Sequence, residues 1–149
     1  MKLLLLSDAN SIHTQRWVLS LLNEGINLRL FSLFKPNAEI KKIYSDNNVK
    51  IDTMNFENKV WNIRKPNISK IQYIIALPKL KNIIKSFSPE FVHAHYASSY
   101  GLLAYLSGFR PFILSVWGSD IYLSPKKNII YKSLIKRVIK SADHVCSTS

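Results

Sequence analysis

Apolar residues follow two spacings along the chain, one typical of buried strands and one typical of amphipathic helices. Apolar runs predict six strands, at residues 2–7, 27–33, 49–54, 91–95, 111–116 and 144–147. Helical spacing predicts helices at residues 14–24, 36–45, 69–87, 98–106 and 128–140. Several strands lack polar alternation, which favours a parallel sheet covered on both faces. The pattern therefore predicts a doubly wound α/β domain.

Glycine and proline mark several boundaries of these predicted elements. Gly25 and Gly108 are placed to end helices in the left-handed conformation. Pro78 falls inside the longest helical segment and is expected to kink it or split it in two. Residues 55–66 predict an irregular connection, and residues 117–127 predict a loop. The inward face of the long helix is predicted to carry Ile71, Ile74, Ile75, Leu80, Ile83 and Ile84.

The composition of the 149-residue chain is that of one globular domain, with 47% hydrophobic residues and a sizeable core. The single cysteine, Cys146, excludes an internal disulfide and a cysteine-rich metal site, favours a reducing compartment, and is expected to be a small core residue. The leucine run at the N-terminus is too short for a signal peptide, and no later stretch is long enough to cross a membrane. We expect a cytoplasmic protein.

The positive charge is concentrated in the second part of the chain. The formal net charge is +12; residues 1–58 hold 7 basic and 6 acidic side chains, whereas residues 59–149 hold 14 and 3. Such a block can attract nucleic acid, an anionic membrane or phosphorylated ligands, and it can also be a solvated surface. Lys132, Lys136 and Lys140 form one ridge of the last helix. The charge therefore leaves a peripheral, salt-sensitive membrane attachment as one hypothesis.

Polar and aromatic residues follow the first, fourth and fifth predicted strands. The carboxyl ends of parallel strands meet at one edge of the sheet, where doubly wound domains bind ligands. The first segment, residues 8–13, has no glycine-rich dinucleotide pattern, although amides near Thr14 can hold an anion. Asn10 and Ser11 suit either a ligand role or turn and capping roles. His13 enters a helix there and is a functional candidate.

The other two segments add imidazole, ring and carboxylate groups. His93 and His95 point to the same face of a strand, His93 as a buried hydrogen-bonded histidine and His95, followed by Tyr96, as the substrate candidate. A metal pair is an alternative, but no cysteine or carboxylate lies at ligand spacing. The last segment combines an aromatic ring, short polar groups and a carboxylate, which suits a sugar or a plain turn. Its residues are Trp117, Gly118, Ser119 and Asp120.

These residues resemble the N-terminal domain of family 4 glycosyltransferases of the GT-B fold. The likeness covers residues 1–149 and rests on residues 7–17 (SDANSIHTQRW), His93-Ala94-His95 and Gly118-Ser119-Asp120. The resemblance implies a Rossmann-like domain on the acceptor side of a two-domain enzyme. A C-terminal domain that binds the nucleotide-sugar is expected beyond this chain, which is interpreted as truncated. Transfer with retention, without a bound metal, is also implied.

The resemblance carries candidate roles onto the polar residues at the sheet edge. The catalytic candidates are Asp120, His95 and His13, with unranked roles; the substrate-binding candidates are Asn10, Ser11, Tyr96, Trp117, Gly118 and Ser119. Many relatives have glycines where Ala9-Asn10-Ser11 stand here, so contact of this loop with the donor diphosphate is not carried over. Many also have a histidine where Trp117 stands, so no base role is carried over there.

Three functions remain open at this point. The leading hypothesis is a glycosyltransferase that uses a nucleotide-sugar donor and a glycan or lipid-linked acceptor, with no cofactor bound by this domain. A nucleotide-sugar epimerase of the same fold is the second. The third is a non-catalytic basic α/β binding module, but no helix-turn-helix, RNA-binding or zinc signature supports nucleic acid as a partner. The isolated chain is expected to be inactive because donor binding belongs to the other domain.

Overall fold

The computed structural model describes residues 1–56, 66–118, 120 and 129–147, with the backbone alone for residues 66–71. Six parallel strands form one sheet in the order β3-β2-β1-β4-β5-β6. This confirms the doubly wound α/β, Rossmann-like prediction. The direction of the strand order reverses between β1 and β4, which is where such sheets open a ligand crevice. The strands are β1 (Lys2–Leu6), β2 (Asn27–Phe34), β3 (Lys50–Phe56), β4 (Phe91–His95), β5 (Phe112–Val116) and β6 (His144–Ser147).

Helices connect the strands, as the sequence predicts, with one addition. The predicted helix at residues 98–106 is preceded by a π-helical turn, Tyr96–Tyr100, that begins directly after β4. Gly118 and Asp120 are also helical, so the segment after β5 does not start as the predicted loop, and residues 121–127 lie outside the described residues. The helices are α1 (Ile12–Asn23), α2 (Ala38–Asp46), α3 (Pro66–Phe87), α4 (Gly101–Ser107) and α5 (Ile129–Ser141).

The two faces of the sheet are covered by different helices. α1 and α2 lie on one face, where Val18 and Tyr44 are fully buried against β1 and β2. α3, α4 and α5 lie on the other face, where Leu80, Leu103 and Val138 are fully buried against the same sheet. Full burial of a side chain of this size stabilises the fold by about 1.5 to 3 kcal/mol. Both faces therefore have an apolar core of their own.

The buried face of α3 differs from the prediction. α3 runs through Pro78 as one element, so the helix is not split. Leu80 and Ile83 are buried as predicted, but Ile74 and Ile75 are 68% and 54% exposed. The positions that α3 buries one and two turns before Leu80 are Ala76 and Tyr73. Apolar residues occur on every side of this helix. Their spacing alone therefore does not predict which side packs against the sheet.

The last strand lies at the edge of the sheet and is exposed along its whole length. Cys146 is therefore exposed and not a core residue, contrary to the expectation from its apolar surroundings in the sequence. No helix of the described part of the chain is long and apolar enough to span a bilayer.

Candidate functional site

The loop after β1 is held by hydrogen bonds that involve the side chains of Asp8 and Asn10. Asp8 Oδ1 accepts hydrogen bonds from the backbone N–H of Asn10 and from its side-chain amide. The same Asn10 amide group donates to the carbonyl of Lys35, and Asn10 Oδ1 accepts from the N–H of Asn37. The structure thus ties Asn10 to the β2–α2 connection. Its predicted contact with substrate stays a prediction, and its side chain has a bracing role.

Buried groups support the same loop from beneath. Ala9 donates its backbone N–H to Ser32 Oγ at 3.2 Å, and its carbonyl accepts from the hydroxyl of Tyr44 at 3.2 Å. Burial raises the pKa of the Tyr44 hydroxyl, so it keeps its proton and stays a donor. Ser11 precedes the first residue of α1, and its hydroxyl makes no capping hydrogen bond. The structure therefore gives the Ser11 side chain no capping role.

Five aromatic and imidazole rings meet where β1, β4 and β5 end. His95 lies edge-on to Trp17 and to Trp117, with ring centroids 5.7 Å apart in both pairs. His13 also packs against Trp117, with ring centroids 4.6 Å apart. His93 contacts Trp17 at 5.2 Å and His95 at 4.9 Å. The structure thus brings His13, His95 and Trp117 together from three distant segments, as the sequence predicted.

His95 is positioned by a chain of hydroxyl groups. Its Nδ1 shares a hydrogen bond of 3.1 Å with Ser7 Oγ, and Ser7 Oγ lies 2.7 Å from Thr14 Oγ1. The opposite ring nitrogen, Nε2, is buried and has no hydrogen-bond partner among the residues that the structure describes. Burial, followed by repulsion from His93 and His13, lowers the pKa of His95 to about 3. At neutral pH the ring is therefore uncharged, with one nitrogen held and one available to a ligand.

His93 differs from its neighbour because both its position and its hydrogen bond are internal. Its Nε2 pairs with Ser115 Oγ at 2.8 Å, and only 4% of the residue is exposed. Burial lowers its pKa to about 4. This confirms the interpretation of His93 as a buried, hydrogen-bonded histidine. Among the described residues no group of three histidine, cysteine or carboxylate side chains is placed to hold a metal ion.

Trp117 carries a second buried nitrogen for which the described residues supply no partner. Within that part of the chain its Nε1–H makes no hydrogen bond, although the indole contacts both His13 and His95. An indole N–H can only donate. A ligand oxygen is the group that would complete it. Two neighbouring rings at this edge of the sheet thus each lack one hydrogen bond within the described part of the chain.

Tyr96 has a backbone conformation that is rare for a large side chain. Its φ is +73°, in the left-handed region, and its side chain is exposed beside the cluster. Such a conformation costs of the order of 1 to 3 kcal/mol and is found most often at functional sites. The next residue, Ala97, donates its backbone N–H to the carboxylate of Asp120 at 2.6 Å. That hydrogen bond holds the turn in place.

Asp120 is fully buried and joins the ends of β4 and β5. One carboxylate oxygen accepts the N–H of Ala97, and the other accepts the N–H of Trp117 at 2.9 Å. A carboxylate engaged in this way favours a positioning role, and its catalytic role stays a prediction. Gly118 is exposed at the start of the helical turn, and Ser119 lies outside the described residues.

Sequence reasoning missed three residues of this cluster. Ser7 and Thr14 hold His95 and Trp17 packs against it, but none of the three is among the site residues that the sequence predicts. The available signal was helical spacing, because His13 and Trp17 are four residues apart and so share one side of α1. The π-helical turn and the strained Tyr96 have no comparable signal in the sequence.

The fold and this site define a Rossmann-like domain of the GT-B class. A family model described as "Glycosyl transferase 4-like" matches residues 2–149, and the chain belongs to that family. The family match confirms the resemblance drawn from the sequence. No curated protein sequence matches the chain.

Solved structures share the fold at low sequence identity. MurG of Acinetobacter baumannii matches with a TM-score of 0.60 at 14% identity, over 99% of this chain and 41% of that one. UDP-GlcNAc 2-epimerase of Neisseria meningitidis, bound to UDP-GlcNAc, matches with 0.68 at 17%, over 99% and 40%. The spinosyn rhamnosyltransferase SpnG, complexed with thymidine diphosphate, matches with 0.59 at 10%, over 99% and 45%. The chain thus spans less than half the length of these three proteins.

Proposed function

We propose that this chain is the acceptor-side domain of an enzyme that transfers a sugar from a nucleotide-sugar to a glycan or lipid-linked acceptor. The observation that carries the proposal is a pair of buried nitrogens, His95 Nε2 and Trp117 Nε1, that make no hydrogen bond to any described residue. A buried polar atom without a hydrogen bond costs about 1 to 3 kcal/mol. Such a cost is expected where a substrate completes the hydrogen bonds.

A sugar hydroxyl fits this pair chemically. It accepts a hydrogen bond from the indole N–H and donates one to an uncharged imidazole nitrogen. The aromatic faces of Trp17 and Trp117 add the apolar surface that sugar rings need. We therefore assign hydroxyl binding to His95 and Trp117, with Ser11 and Tyr96 as further contacts at the rim.

The low pKa of His95 bears on its role. A ring with a pKa of about 3 is a weak base near neutral pH, so hydrogen bonding to substrate suits it better than proton abstraction. His13 is exposed and lies against Trp117 at the same edge. His13 is therefore the better candidate for moving a proton, and Asp120 is assigned to positioning.

The remaining parts of the proposal concern the whole enzyme. We propose a second α/β domain that binds the nucleotide-sugar, because the chain spans 41% of MurG and 40% of the Neisseria epimerase. Retention of configuration and the absence of a metal rest on the family resemblance. A lipid-linked acceptor would place the enzyme peripherally at the inner face of a membrane.

Sugar transfer by the full-length protein tests the proposal. The protein is incubated with radiolabelled UDP-, GDP- and dTDP-sugars and a membrane extract, and label in lipid and polysaccharide fractions is counted. We expect label in one of these fractions, and loss of at least about tenfold for His95→Ala and for Trp117→Phe. The exposed variant His144→Gln is the matched control. Consumption of a nucleotide-sugar by the 149-residue chain alone would contradict the two-domain reading.

Epimerisation of a nucleotide-sugar is the second candidate, because the Neisseria epimerase matches with a TM-score of 0.68. The same incubation separates the two functions. An epimerase converts the nucleotide-sugar without any acceptor, so conversion in the absence of membrane extract would favour it. Label that appears only with the extract would favour transfer.

A further inference from the structure

The two helical layers of the domain differ in charge. α1 and α2 carry three basic and two acidic side chains. The other layer, which we call the basic layer, consists of α3, the π-helical turn, α4 and α5; it carries eight basic side chains and no acidic one. Among the described side chains, the basic residues exposed on it are Lys79, Lys81, Lys85, Lys132, Lys136, Arg137 and Lys140.

Internal partners do not neutralise this charge. The ion pairs between side chains in the described residues are Arg29–Asp52 and Arg110–Asp143, and neither includes a residue of the basic layer. Lys79 donates to the carbonyl of Thr53, whereas the other exposed cations of the layer have no ion pair among the described residues. Like charges on adjacent helical turns repel by about 0.2 to 0.5 kcal/mol per pair. An anionic surface would remove that cost.

Large apolar side chains are exposed on the same layer. Ile74 and Ile75 of α3 are 68% and 54% exposed, and Ile129 and Ile130 of α5 are 82% and 66% exposed. In the opposite layer, α1 and α2, the large apolar side chain with comparable exposure among the described residues is Ile12, at 53%. Isolated exposed apolar residues are common, but pairs on two helices that also carry lysines without an ion pair among the described residues indicate an interaction surface.

The position of the isoleucines relates this surface to the candidate site. Helices between parallel strands run back from the carboxyl edge of the sheet, so α3 and α5 begin at the edge that carries His95 and Trp117. Ile129 and Ile130 are the first residues of α5. Ile74 and Ile75 precede Lys81 and Lys85 along α3. Ile74 and Ile75 thus lie nearer than Lys81 and Lys85 to the end of α3 that begins at this edge.

The chemistry of the surface separates three kinds of partner. A second copy of the chain would bring two basic layers together, which repulsion opposes. Nucleic acid would use the cations but has no use for exposed isoleucines, since it is bound through phosphate contacts and aromatic stacking. An anionic bilayer uses both, because lysines meet the headgroups while apolar side chains enter the interface.

We propose that the basic layer docks on an anionic membrane through Ile74, Ile75, Ile129 and Ile130, with Lys81, Lys85, Lys132 and Lys136 at the headgroups. This inference extends the proposed use of a lipid-linked acceptor. The reason for membrane binding rests on that proposed function, whereas the binding itself does not. Binding is measured without any sugar, so failure of one proposal is distinguishable from failure of the other.

Vesicle co-sedimentation of the full chain tests the charge. We expect recovery with phosphatidylglycerol/phosphatidylcholine vesicles at low salt, little with pure phosphatidylcholine, and release at high salt. Replacing four lysines of the basic layer should lower the partition coefficient at least about tenfold. These changes are Lys81→Gln, Lys85→Gln, Lys132→Gln and Lys136→Gln. The matched control removes the same charge elsewhere, by Lys35→Gln, Lys41→Gln, Lys42→Gln and Lys50→Gln, and should have a smaller effect.

A second pair of variants tests the apolar part. Ile74→Ser with Ile75→Ser should lower partitioning about tenfold, whereas Ile74→Leu with Ile75→Leu should keep it, since only the first removes apolar area. All variants change exposed positions, and a circular-dichroism melt shows that each still folds. Equal recovery with neutral and anionic vesicles would overturn the proposal, as would equal losses for the two lysine sets. Tight binding of a single-stranded RNA that displaces the vesicles and is insensitive to the serine changes would assign the surface to nucleic acid instead.

Discussion

The loop after β1 and the ends of β4 and β5 lie at the same edge of the sheet but are built differently. In the loop, the side chains of Asp8 and Asn10 are engaged with backbone groups of the loop itself and of the β2–α2 connection. At the ends of β4 and β5, His95 and Trp117 each keep one buried nitrogen that no described residue pairs with, and Tyr96 has a strained backbone conformation.

This difference suggests separate roles: the loop after β1 supports the site, and the ends of β4 and β5 bind the ligand. Polar residues that satisfy one another shape a loop and have little left for a ligand. Buried polar atoms left incomplete are rare in folded proteins, and each needs an explanation. The sequence predicts site residues in both regions. In the described part of the structure, however, the buried nitrogens without a hydrogen-bond partner lie at the ends of β4 and β5.

The largest effect is expected from Asp120, which joins the two strand ends. Asp120→Ala leaves two backbone N–H groups without their acceptor in a buried position, so the free energy of unfolding should fall by about 3 to 5 kcal/mol. Urea denaturation measures it. Asp120→Asn keeps one acceptor oxygen and should cost less, and the exposed Asp46→Ala should cost under about 0.5 kcal/mol. A urea denaturation midpoint for Asp120→Ala close to that of the unmodified protein would contradict a positioning role for Asp120.

Acid should weaken the domain through its two buried histidines. Burial lowers the pKa of His93 to about 4 and of His95 to about 3 from an ordinary value of 6.5, so the unfolded chain binds more protons below pH 6.5. Stability is therefore complete above pH 6.5 and is lost as pH falls. Between pH 7 and pH 5 the loss should be about 2 kcal/mol for each histidine.

Denaturation at a series of pH values, with histidine variants, assigns this loss. His93→Gln should flatten the dependence, whereas His144→Gln on the exposed edge strand should leave it unchanged. If His93→Gln has the same slope as the unmodified protein, the buried ring is not the group that titrates.

Gly101 tests how tightly the turn after β4 is packed. A Cβ at this position would lie 2.8 Å from Leu114 Cδ1, 3.0 Å from the carbonyl of Tyr96 and 3.2 Å from Val138 Cγ1. Gly101→Ala should therefore cost about 1 to 3 kcal/mol and displace the turn. Amide shifts of Tyr96 and Ala97 should move with it. Gly25→Ala meets no atom within 4 Å and should strain only its own backbone at φ +71°, without moving these signals.

The smallest effect is expected in the loop after β1. Asn10→Ala removes partly exposed hydrogen bonds to Lys35 and Asn37, so thermal denaturation should show a loss of about 1 kcal/mol. Transfer by the full-length protein should change less than it does for Trp117→Phe. The reverse order would place recognition in this loop and undo the comparison.

The sequence predicted the four inner strands, β2, β1, β4 and β5, well because each is a mostly apolar run, and a buried parallel strand needs little else. The sequence also predicted that His13, His95 and Trp117 lie at one edge of the sheet, because each follows the carboxyl end of a predicted parallel strand. The buried face of α3 did not follow, because Tyr73, Ile74, Ile75 and Ala76 are all apolar and tertiary contact chooses among them. The φ of Tyr96 was also beyond prediction, since the Asp120 carboxylate that holds the next residue comes from a distant segment.

The central claim is that Trp117 Nε1 and His95 Nε2 are completed by substrate. The most direct test is the indole N–H spectrum of the 15N-labelled protein, which has three tryptophans, each assigned by a Phe variant. A soluble acceptor identified by the transfer assay is titrated in. We predict that the Trp117 indole proton moves downfield as it gains a hydrogen bond, and that His95→Ala weakens the titration. A saturating titration that leaves the Trp117 signal in place would contradict the account.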